Sequence, residues 1–147
     1  MGLPESERLT SILWEDIPPG AEYGPYEDVA RHEDRDLWAE VYERRPDDEG
    51  ATIPPGLIPV YILRALRLAF NGIPAGGVLA RQTFTFSRPL RIGESFQTTI
   101  RVAEKYLRRG RPYVVLAFTI RLPDGTLVAE SHKHLIWPGR EPIGAHP

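Results

Sequence analysis

The chain has 147 residues, the length of one domain, and surface scaling lets it bury about 68–70% of its unfolded surface, enough for one core without a disulfide or metal staple. Its formal charge of −2, from 18 basic against 20 acidic residues, gives no global attraction to nucleic acid, and the lack of cysteine rules out a disulfide framework, a zinc ribbon and a thiol nucleophile. No stretch approaches the roughly eighteen apolar residues of a membrane span, and the first twenty residues lack the basic-then-apolar order of a secretory leader, so a soluble cytoplasmic protein is expected.

Proline and glycine cut the chain into short elements. After Pro18-Pro19-Gly20 a strand is predicted over Tyr23–Val29. Glu33–Glu43 places Leu37, Trp38, Val41 and Tyr42 at helical spacing, with acids in the first turn where the helix dipole favours them, and predicts an amphipathic helix. The next stretch, Tyr42–Gly50, holds Glu43, Arg44, Arg45, Asp47, Asp48 and Glu49, and its residue types alone read as a solvated, salt-bridged loop.

Leu57–Asn71 is apolar nearly all round, broken only by Arg64 and Arg67, and ends at Asn71-Gly72 with a C-cap signature. Such a helix is expected to be enclosed. Four β-rich runs follow: Val78–Ser87, Glu94–Tyr106, Pro112–Leu122 and Thr126–Trp137. In the third, Val114, Leu116, Phe118, Ile120 and Leu122 point one way. The connections Arg88–Gly93, Leu107–Arg111 and Pro123–Gly125 are short enough for an antiparallel meander. An α+β domain follows, with one helix wrapped by a curled antiparallel sheet. It is expected to span 1–147 as a single unit, with an N-terminal extension to about residue 20 and a C-terminal tail from about 138.

Basic residues concentrate late in the chain, at Arg64, Arg67, Arg81, Arg88, Arg91, Arg101, Lys105, Arg108, Arg109 and Arg111, so an anionic ligand is expected there. Arg108-Arg109-Gly110-Arg111 has the guanidinium density to clamp phosphates, although a charged hairpin tip is common on any surface. His132 and His134 share one face of a predicted strand, but no Asp, Glu or Cys stands at the spacing of a third ligand, so no metal site is expected. His32 reads as an exposed helix-entry residue.

The order of these words resembles the hot-dog fold, and within it the MaoC-like dehydratase and (R)-specific enoyl-CoA hydratase family. Ile17-Pro18-Pro19-Gly20-Ala21-Glu22-Tyr23-Gly24-Pro25-Tyr26 is similar to that family's lead-in to its first strand, and Arg31–Val41 to the helix after it. Pro54-Pro55-Gly56-Leu57 resembles the start of its central helix, and Phe84–Glu94 its strand–turn–strand segment. The similarity covers roughly residues 12–137.

The resemblance implies an acyl or enoyl thioester as ligand, carried on coenzyme A or on an acyl carrier protein, and no other cofactor. Active members carry G-D-x-N-P-x-H, whose Asp and His activate water and protonate the substrate. Anchored on Pro46, that pattern puts Glu43 at the Asp and Asp48 at the His. Glu43 keeps a carboxylate, but Asp48, with an ordinary pKa of about 3.9, does not reproduce an imidazole near 6.5. The resemblance also implies that an amide at Gly56 or Leu57 holds the thioester carbonyl, since Pro55 has no N–H, and that Arg88 and Arg91 flank the thioester entrance.

If active, the chain is expected to hydrate an enoyl-CoA through Glu43 and Asp48. Two alternatives remain: a non-catalytic hot-dog subunit that partners a catalytic homologue, and an acyl-CoA thioesterase using one carboxylate. The family resemblance implies a homodimer or higher oligomer joined at sheet edges, with neither nucleic acid nor membrane as partner.

Overall fold

The computed structural model describes residues 12–43 and 51–141. A 3₁₀ turn (Trp14–Asp16) leads into β1 (Glu22–Val29) and α1 (His32–Val41). A second 3₁₀ turn (Pro55–Leu57) opens α2 (Ile58–Phe70). Then come β2 (Val78–Phe86), β3 (Ser95–Arg108), β4 (Arg111–Arg121) and β5 (Leu127–Ile136). No helix among the described residues is long and apolar enough to cross a membrane.

The elements form the expected α+β arrangement, a five-stranded antiparallel sheet curled around one helix. The enclosed helix is α2, which packs chiefly on β1 and β3. Its Tyr61, Ile62 and Leu66 meet Phe96, Ile100, Phe118 and Ile120 of the sheet in one buried cluster. Val114, Leu116, Phe118, Ile120 and Leu122 are all buried, as the period-two alternation requires. α2 ends where its sequence says: Asn71 takes the left-handed conformation (φ 53°) and donates its N–H to the Arg67 carbonyl.

Three expectations are corrected. The four late strands are not a meander, because the strand order is β1-β3-β4-β5-β2 and β2 pairs with β5 at the far edge from β1. The link from Arg88 to Glu94 therefore crosses three strand spacings, about 14 Å, well within reach of an extended seven-residue segment. α1 stops at Val41, so Glu43 lies in a turn at positive φ (55°), not on the helix. The β3–β4 connection is only Arg109-Gly110, both at positive φ (52° and 72°), a tight two-residue hairpin whose backbone suits the sheet twist.

From Ile12 onward the chain's start is built into the fold. Ile17 is buried in the core. The Trp14 indole N–H donates to the Tyr113 carbonyl (2.9 Å) and that of Trp137 to the Ile12 carbonyl (2.8 Å). Lys105 Nζ donates to the Ile17 carbonyl (3.0 Å) while standing 4.4 Å from the Trp14 ring centre. Arg140 pairs with Glu15 and Asp16.

Candidate functional site

The start of α2 is set by Pro54 and Pro55, which fix extended and then turn geometry and donate nothing. The Leu57 N–H is taken by the Pro54 carbonyl (3.0 Å). Of the two amides expected to hold a carbonyl oxygen, Gly56 is thus the one with no partner among the described residues. It is exposed at the positive end of a 13-residue helix, where backbone dipoles favour an oxygen carrying negative charge.

Two grooves flank this turn. On the sheet side a cavity of about 290 Å³ is lined by Ile53, Pro55, Ile58, Phe86, Arg88 and Leu90, with Ser87 and Pro89 completing its wall. On the helix side one of about 210 Å³ runs between α1 and α2, with Leu37, Trp38, Val41 and Val60 as its apolar wall and Asp34 and Arg64 at its polar end. Backbone hydrogen bonds join Ile53 N–H to the Leu90 carbonyl (2.7 Å), both in the first groove's wall, and Ile92 N–H to the Ala51 carbonyl (2.8 Å).

Arg88 lines the sheet-side groove, but its guanidinium already forms a two-pronged pair with Glu94 (3.0 and 3.2 Å). Glu94 also accepts the Arg91 backbone N–H (2.7 Å), closing the turn that carries both arginines. The Arg91 side chain is exposed and has no partner among the described residues, so it is the freer cation. Glu43 is exposed beyond Tyr42 and lines neither groove. Asp48 lies outside the described residues.

α1 is tied to the start of α2 by Trp38, a role its sequence position did not announce. The indole lies so close to Gly56 that an added Cβ would stand 3.1 Å from Nε1, and its ring also packs on Tyr42 (centroids 4.9 Å). One turn earlier on α1, Asp34 accepts the Tyr61 hydroxyl (3.1 Å) and Arg64 Nη2 (3.1 Å), while Arg64 Nη1 faces Asp28 at 3.6 Å. Burial and the neighbouring Asp34 carboxylate push the Tyr61 phenol well above its ordinary value. The residue types were visible in the sequence, but nothing at a separation of 27 or 30 residues signalled that they meet.

The remaining candidates lie elsewhere. His132 and His134 share the outer sheet face, where the Tyr106 hydroxyl is 3.5 Å from His134 Nδ1. His32 opens α1, exposed, with its ring on Asp36.

No family model matches the sequence, and no curated protein matches it. Among solved structures it is similar to the unliganded R-hydratase PhaJ1 of Pseudomonas aeruginosa, at 21% identity over 88% of each chain with a TM-score of 0.72. It is similar to a MaoC-like dehydratase from Rhodospirillum rubrum, at 17% identity over 90% of this chain and 99% of that one, with a TM-score of 0.71. It is also similar to the HadBC (3R-hydroxyacyl-ACP dehydratase) complex of Mycobacterium tuberculosis, at 19% identity over 80% of this chain and 95% of that one, with a TM-score of 0.67. With its sheet curled around α2 and these likenesses across most of its length, the chain has the hot-dog fold of the MaoC-like dehydratases and (R)-hydratases.

Proposed function

We propose that the chain binds an acyl or enoyl thioester, with the carbonyl oxygen on the Gly56 amide and the acyl chain in the apolar groove between α2 and β2. The observation that carries this reading is the Gly56 N–H, which has no partner among the described residues, beside a groove large enough for part of an acyl chain. Arg91, and Arg88 if it releases Glu94, supply the positive charge that the phosphates of coenzyme A would meet. No cofactor besides that carrier is required.

The reaction that fits is reversible addition of water to the enoyl thioester, with Glu43 as base and Asp48 as its partner. The hydratases and dehydratases similar in fold make this the natural chemistry to test. The exposed position of Glu43 favours a second reading, a thioester-binding subunit that leaves catalysis to another chain. The HadBC (3R-hydroxyacyl-ACP dehydratase) structure, similar in fold, is a complex, which supports a two-chain arrangement as a reading to test. In either case a second chain is expected to join at β2, an edge strand whose Val78, Leu79 and Phe86 are half exposed.

Steady-state assays with a chain-length panel separate these readings. Loss of the conjugated enoyl absorbance signals hydration, and release of free thiol signals hydrolysis, the thioesterase alternative. If Glu43 is the base, Glu43→Gln lowers the hydration rate by roughly 10²–10⁴-fold. An unchanged rate in that variant removes Glu43 from the mechanism. Calorimetric binding of thioester with neither activity selects the subunit reading, and no binding at any length overturns the proposal.

A further inference from the structure

Of the chain's 18 basic residues only two are lysines, and one of them, Lys133, is 7% exposed on β5. It belongs to the inner face of the sheet: its register partners are Leu116 on β4 and Gln82 on β2, and its Nζ stands 5.7 Å from the centre of the Phe118 ring. Among the described residues no carboxylate pairs with it. Burial alone pushes its ammonium below the ordinary lysine value. Two residues earlier on the same face, Ser131 is 1% exposed and its Oγ is sealed from solvent without a hydrogen-bond partner. Among the described residues, then, Ser131 holds a sealed hydroxyl without a partner and Lys133 a largely buried side chain whose ammonium meets no carboxylate, an arrangement that apolar side chains of similar size would make less costly.

Their location supplies a reason to keep them. Because α2 packs chiefly on β1 and β3, the β5–β2 half of the inner face is left beside its flank. The pairs Phe86–Ala129, Phe84–Ser131 and Gln82–Lys133 follow one another along that half, starting from Phe86 in the wall of the sheet-side groove. The stacked rings of Phe84 and Phe86 (centroids 5.7 Å) make the first part apolar, and polarity begins only at Ser131 and Lys133. From Phe86 to Gln82 is about 14 Å of strand, the reach of an extended chain of about eight to twelve carbons.

We propose that Ser131 and Lys133 form the far end of the acyl site and receive an anionic terminus, so that the ligand class is the thioester of a dicarboxylic acid. This rests on the thioester reading given above. The carboxylate accepts hydrogen bonds from the Lys133 ammonium and the Ser131 hydroxyl, giving each a partner that none of the described residues supplies.

Calorimetry on the full chain, using coenzyme A thioesters of eight, ten and twelve carbons ending in either a methyl or a carboxylate, tests it. The carboxyl-terminated ligand is expected to bind roughly tenfold or more tightly than its methyl-terminated counterpart at one or more lengths. Lys133→Met is expected to reverse that preference while raising the thermal midpoint of the ligand-free protein, because it removes a largely buried charge that no carboxylate of the described residues meets. A second readout needs no variant: with lysine carbons labelled, only Lys105 and Lys133 give NMR signals. The Lys133 signal is expected to titrate at higher pH when the carboxyl-terminated ligand is bound and not when the methyl-terminated one is. Equal affinity for both ligands at every length, a preference that survives Lys133→Met, or a Lys133 titration unmoved by the carboxylate each overturns the inference while leaving the thioester reading in place. Failure of both ligand series to bind overturns the two together.

Discussion

At Gly56 the constraint is spatial, since no positive φ is involved and the Trp38 indole occupies the room a side chain would need. Gly56→Ala is therefore expected to make Trp38 give way by a few tenths of an ångström and to destabilise the fold by about 1 kcal/mol, read from urea unfolding followed by tryptophan fluorescence. Tyr61 offers a test by pH. Burial and the Asp34 carboxylate raise its phenol in the folded state above the ordinary value near 10, so its contribution is complete below about pH 10 and is lost as pH rises toward the folded-state value. Lys133 acts oppositely: its lowered ammonium costs stability at neutral pH, and that cost fades as pH climbs toward the ordinary lysine value. Above pH 10 the loss from Tyr61 is expected to outlast the gain from Lys133, and Tyr61→Phe is expected to flatten the alkaline decline measured by circular dichroism.

Among the elements, α1 is held to α2 mainly by polar contacts at one end and by Trp38 at the other. Asp34→Ala removes the acceptor shared by Tyr61 and Arg64 and is expected to cost about 1.5–3 kcal/mol, with the larger share coming from leaving partly buried donors unpaired. The same variant should loosen the approach of α1 to the start of α2 and weaken thioester binding, which calorimetry would show. β2 raises a different question, because an edge strand with half-exposed Val78 and Leu79 invites pairing with another chain. If a second copy pairs there, as proposed, Leu79→Glu is expected to lower the mass seen in sedimentation velocity from that of a dimer to that of a monomer. An unchanged mass would place the contact elsewhere.

Across the whole molecule, most of the architecture was legible from residue order because its signals are local. Strand parity in Val114–Leu122, the all-round apolarity of Leu57–Asn71 and the Asn71 cap each name an element without help from the rest of the chain. The place of β2 was not legible, since a short Arg88–Gly93 link allows either a hairpin or a crossing, and the pairing is decided by contacts far away in sequence. The site divides in the same manner. Two prolines and a glycine narrow the candidate amide to Gly56 or Leu57, whereas the bond that occupies Leu57 and the Trp38 contact appear only in the folded chain. Parity alone puts Lys133 on the same face as Leu135, but the expectation that lysines reach solvent hides its burial. The Trp14 and Trp137 bonds, spanning 99 and 125 residues, likewise bind both ends of the described chain into the fold without any local sign.

The bonded wall of the sheet-side groove has a consequence for timing. Ile53 and Leu90, both lining the groove, are joined by a backbone hydrogen bond, and Ile92 and Ala51 by another close by in sequence, so that this part of the wall is fixed by backbone bonds. The Ile53 and Ile92 amides should exchange with deuterated solvent much more slowly than those of the exposed β3–β4 turn. If the groove takes a thioester as proposed, a wall fixed in this way predicts an observed association rate that rises linearly with thioester concentration, without the plateau that a gate opening first would impose.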